Sequence, residues 1–130
     1  MAHYGVHAVA ADKAGNVYVA CKVGDEDTGR IFRLAAGATA GDELPFPGLK
    51  APERIAVDAA GNVFVAESLG GVRELPAGAS SAVELPVHVR RPTAVAVDSA
   101  GNVDVGALAT REKTDRLVSP GQVLKLAPDK

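Results

Sequence analysis

The stretch Ile55-Ala-Val-Asp-Ala-Ala-Gly-Asn-Val-Phe-Val-Ala-Glu67 decides the fold. A short apolar run stops at Asp58-Ala-Ala-Gly61-Asn62 and resumes as Val63-Phe-Val-Ala66. Glycine and asparagine accept the positive φ values that tight hairpin turns demand, and an aspartate side chain accepts a backbone N–H inside such a turn. The flanking runs are rich in Val, Ile and Phe and too short for helices, so the segment reads as a β-hairpin. It returns at Val9–Ala20 around Asp12, Gly15 and Asn16, and at Val95–Val105 around Asp98, Gly101 and Asn102. One hairpin met three times marks a repeat protein.

Gly15 and Gly61 lie 46 residues apart, and Gly61 and Gly101 lie 40 apart. That period suits four short antiparallel strands with their turns, the size of a propeller blade. The reading is all-β: one domain over 1–130, with blades at about 5–48, 52–88 and 92–127. Glu43-Leu-Pro-Phe46 and Ala82-Val-Glu-Leu-Pro-Val87 take the outer-strand places, where a proline with no N–H is tolerated. The third unit is worn. Asp104 and Gly106 stand where Tyr18 or Phe64, and Ala20 or Ala66, stand in the others, and its loop lengthens over 107–120. No outer strand follows Leu126, which makes eleven strands in all.

The first strand of each unit is heavy in alanine, as sheets converging on an axis require; the second is apolar on both faces, as a sheet between two neighbours should be. Arg33, Arg73, Glu74 and Glu84 fall on the third and fourth strands, the wetter rim. This gradient favours radially arranged blades over a flat sandwich.

Composition narrows the function. Acidic and basic residues number 16 and 14, net charge −2, and tryptophan is absent. The broad basic face and stacking aromatics of a nucleic-acid binder are missing. Cys21 is the single cysteine, so no intrachain disulfide forms, and it reads as a small apolar residue ending a strand. No apolar run approaches the ~20 residues that span a bilayer. The compartment is undetermined.

The repeats resemble the NHL-repeat propeller family, and within it the extracellular sensor propellers of bacterial receptor serine/threonine kinases. The residues carrying the resemblance are Pro52-Glu-Arg-Ile-Ala-Val-Asp58, Pro92-Thr-Ala-Val-Ala-Val-Asp98, Gly15-Asn-Val-Tyr-Val-Ala20, Arg30-Ile-Phe-Arg-Leu-Ala-Ala-Gly37 and Leu44-Pro-Phe-Pro-Gly-Leu49. The Asp-rich Asn-Asn-Arg corner of the family is replaced by Glu67-Ser-Leu-Gly-Gly-Val-Arg73. Such propellers close a ring of about six blades, and three blades cannot. Each terminal blade would leave ~350 Å² of sheet uncovered, so a homodimer completing a six-bladed ring is expected. A truncated or decayed, inactive repeat fragment is the alternative.

Asp12, Asp58 and Asp98, with Gly15, Asn16, Gly61, Asn62, Gly101 and Asn102, read as turn residues, because every unit needs them equally. Asp25-Glu26-Asp27 lacks the ligand spacing of a calcium loop and reads as a solvated loop. His3, His7 and His88 form no pair with a glutamate of the kind streptogramin-lyase-like propellers use to hold magnesium. No catalytic residue, metal or cofactor is assigned. Loops 22–29, 46–54, 67–71, 87–93 and 106–120 emerge on one face, which singles out Arg54, Glu67, Arg90 and Arg91 as ligand-binding candidates. The expectation is a non-catalytic binding, sensor or scaffold module for a protein or small ligand. A metal-dependent lyase-like propeller is the competing class.

Overall fold

The structure, a computed structural model, describes residues 4–23, 29–46, 48–49, 51–67, 71–85, 92–98, 100–107, 110–111, 117–119 and 122–126. The first blade is β1 (Tyr4–Ala11), β2 (Val17–Val23), β3 (Gly29–Leu34) and β4 (Asp42–Glu43), antiparallel in sequential order. The second repeats it with β5 (Pro52–Val57), β6 (Val63–Glu67), β7 (Val72–Leu75) and β8 (Val83–Glu84). In the third, β10 (Val103–Ala107) lies between β9 (Pro92–Val97) and β13 (Gln122–Leu126). A separate pair, β11 (Thr110–Arg111) and β12 (Leu117–Ser119), stands within what reads from sequence as loop. The described residues thus form thirteen strands rather than eleven, because the long insertion pairs with itself. No helix among them is long and apolar enough to cross a membrane.

β1 packs beside β5, and β5 beside β9, so the innermost strands converge as blades about an axis do. Two apolar junctions fill the spaces between blades. At the first, Tyr18, Ala20 and Ile31 meet Ile55, Val63, Val65 and Leu75, with Ala8 and Ala10 at the narrow end. At the second, Phe64, Ala66 and Val72 meet Val103 and Val105, flanked by Ala56, Val95 and Val97. β6 is buried along its whole length because it faces a neighbour on each side. Burying each Val, Ile or Phe contributes ~1.5–3 kcal/mol, so the junctions are the main cohesion of the array.

The outer strands are shorter than the sequence suggests. β4 ends at Glu43; Leu44 N still donates to Ile31 O, but Pro45 has no N–H to continue the ladder. The chain then turns Phe46 and Leu49 into the first core. Gly29 opens β3 for a steric reason: a Cβ there would overlap the buried Pro52 ring that starts the next blade.

Candidate functional site

Each hairpin turn is a side-chain clamp. Asp12 N donates to Asn16 O and Gly15 N to Asp12 O, with Gly15 at φ 89°. Gly61 and Gly101 repeat this at 91° and 88°, the left-handed residue that closes a three-residue hairpin loop. The asparagines are not among the positive-φ residues, contrary to their expected backbone role. They bridge instead. Asp12 Oδ1 accepts from the N–H groups of Ala14 and Asn16, and Oδ2 accepts from Asn16 Nδ2 at 2.9 Å. Asn16 Oδ1 then accepts from Ala36 N at 3.0 Å, tying this turn to the turn between β3 and β4. Asp58 and Asn62 repeat the clamp, including Ala77 N to Asn62 Oδ1 at 2.8 Å. Asp98 and Asn102 repeat its aspartate half. A bond made identically in every unit belongs to the scaffold.

The units differ where β2 and β3 approach the first clamp. Tyr18 Oη donates to Asp12 Oδ2 at 3.1 Å, and Arg33 Nε donates to Tyr18 Oη at 3.3 Å. Register places Tyr18 opposite Arg33, whereas the same places in the second blade hold Phe64 and Glu74. The Asn16 amide, opposed by partial burial and helped by the Asn16 N–H, the Tyr18 hydroxyl and the Ala14 N–H, holds the Asp12 carboxyl below its ordinary value. It therefore stays ionised at neutral pH. These groups edge a cleft of about 630 Å³ between the hairpin ends of the first two blades, walled by Leu44, Pro45, Leu75 and Pro76. That is within the ~300–1,000 Å³ of small-ligand sites. Lys13 and Arg33 also line it, and neither forms an ion pair among the described residues.

The opposite end carries the residues singled out from sequence. Arg54 is exposed on β5, and its Nη1 donates to Glu53 O at 2.7 Å. Glu67 ends β6 nearby but is 1% exposed, with Oε2 3.1 Å from Arg73 Nε. Arg73 Nη2 reaches Gly48 O at 3.5 Å, so this pair braces the connection between blades. Arg90, Arg91, Asp25–Asp27, His3 and His88 lie outside the described residues. Cys21 is buried, and burial pushes its thiol pKa up, against a nucleophilic role. No three His, Cys, Asp or Glu side chains among the described residues converge as a metal site would need, and His7 stands exposed on β1. The cleft escaped sequence reading because it forms between turns 46 residues apart; the signal available was the unrepeated Tyr18 and Arg33.

No protein-family description and no curated protein sequence matches the chain. Solved structures do. A chain of the nidogen/laminin complex superposes with TM-score 0.65 at 19% identity, covering 78% of this chain and 39% of that one. Virginiamycin B lyase from Staphylococcus aureus, in selenomethionine-substituted form, superposes with TM-score 0.55 at 12% identity, covering 100% of this chain and 45% of its own. The present chain therefore spans less than half of either. Both neighbours are β-propellers, and at such identities the likeness concerns the fold alone. The chain is built from antiparallel blades of the β-propeller fold, four-stranded in the first two and three-stranded among the described residues of the third.

Proposed function

We propose that the chain is a non-catalytic binding module of NHL type. Its ligand is a small organic anion, a carboxylate or phosphate on an apolar body, held in the cleft between the first two blades. The observation carrying this reading is the pairing of Lys13 and Arg33 with walls of leucine and proline at the place where the repeat departs from itself. Tyr18 holds the Arg33 side chain through Nε, which leaves the two Nη groups to grip an anion in bidentate fashion. Asp12 is saturated by its own turn and serves as an anchor for Tyr18, with no acid–base role. The NHL kinship, including the likeness to kinase sensor propellers, rests on the repeat motifs quoted above.

The test is titration of ¹⁵N-labelled protein with benzoate and with inorganic phosphate. Saturable amide shifts should centre on Lys13, Tyr18 and Arg33 and should vanish in Arg33→Ala. Shifts centred on Arg54 would move the site to the loop face, the second surface of this reading. Absence of saturable shifts with both anions would sink the proposal. Turnover of a lactone or ester that requires added magnesium would favour the lyase class, to which one structural neighbour belongs by name.

A further inference from the structure

Along the innermost strands, the outward faces of the first and third blades repeat the two halves of the buried junctions. Aligning the turns on Asp12, Asp58 and Asp98 places Ala10, Ala56 and Ala96 in one column and Val9, Ile55 and Val95 in another. Ala10 packs in the same core as Ile55, and Ala56 in the same core as Val95. A junction is therefore a small-residue face of one blade set against a branched face of the next. The third blade ends on the small face, with Ala94 and Ala96 exposed and Gly106 half-buried. The first blade begins with the branched face, with Val9 60% exposed and Val17, Val19 and Leu34 half-buried around it. Among the described residues, each half lacks its complement, and each complement stands at the other end of the same chain.

We propose that a second copy of this chain closes the ring, with the third blade of each copy packing on the first blade of the other. Two-fold symmetry supplies both junctions at once, since the contact made from one copy to its partner is returned. Each junction covers ~350 Å² of sheet on either side, ~700 Å² per copy and ~1,400 Å² in total. That falls within the ~1,200–2,000 Å² of a stable specific interface. Asp104, opposite Lys125 in register, brings charge to the new junction, in the column of the buried rings of Tyr18 and Phe64.

Light scattering on the eluting wild-type protein should give about twice the chain's 13.2 kDa. Val9→Lys and Ala96→Glu alter exposed side chains, so both should keep the wild-type circular dichroism while each alone falls to the single-chain mass. Mixed together they should regain the double mass, because one junction of the mixed pair is unchanged and the other sets Lys against Glu. A single-chain mass for the wild type would overturn the proposal. So would an open series of larger species, an Ala96→Glu protein that still pairs, or a mixture that stays monomeric. These outcomes are independent of the anion cleft, which the variants do not touch.

Discussion

The two junctions between blades are built alike and differ at one end. In the second, Phe64 is buried against Val103 and Val105, and the residue across the strand from it is Glu74. In the first, the same position holds Tyr18, whose hydroxyl links Asp12 to Arg33 at the edge of a cleft. Repeated residues make the array hold; the unrepeated ones give one junction a chemistry the other lacks. In a repeat protein the departures from the repeat are therefore where binding is to be sought.

The strongest way to break this comparison is to empty the dry junction. Phe64→Ala should cost ~3–5 kcal/mol of unfolding free energy, as for a buried aromatic leaving a cavity. Urea titration measures it, and a loss near that of a surface substitution would mean that the blades do not cohere there. Next in size are the shared turns. Gly15→Ala and Gly61→Ala should each cost ~1–2 kcal/mol, because both residues hold φ near 90°. The Cβ contacts created, 3.4 Å to Ala36 and 3.6 Å to Ala77, are nearly ordinary, so the backbone sets the loss and the two values should match.

Tyr18→Phe makes the first junction resemble the second. It removes one hydroxyl and its two hydrogen bonds, and should cost only ~0.5–1.5 kcal/mol while weakening the anion response at Arg33. A full loss of folding would show instead that the hydroxyl is structural. The smallest effect is on pH. The Asp12 carboxyl sits below its ordinary value of 3.8, so the stability it contributes is complete above that pH and is lost as pH falls through its folded value. Urea midpoints should therefore be level in this group's contribution from neutrality to about pH 4 and fall below it. Asp12→Asn should flatten that fall, and an unchanged slope would remove the assignment.

Much of the blade was legible in order of residues. The Asp-x-x-Gly-Asn turns and the apolar Val runs are local signals, and they placed all three hairpins. The errors have local causes too. Pro45 ended its strand before Phe46 because that ring was drawn into the core, and the 107–120 insertion hid a small strand pair with little apolar patterning. The asparagines act through their side chains, reaching the next turn some twenty and fifteen residues on, a link no single-turn rule contains. Glu67 illustrates the limit at the other end: its charge suggests an exposed binding residue, while its burial depends on Arg73 arriving from the neighbouring strand.

The amino-acid order by itself determined the repeat, the hairpins and the blade, since turns and strand alternation depend on residues a few places apart. Only the tertiary structure decided which side chains share a space. The cleft of Lys13, Tyr18 and Arg33 exists because two turns far apart in sequence are brought side by side, and burial around Glu67 follows from packing that no local pattern specifies.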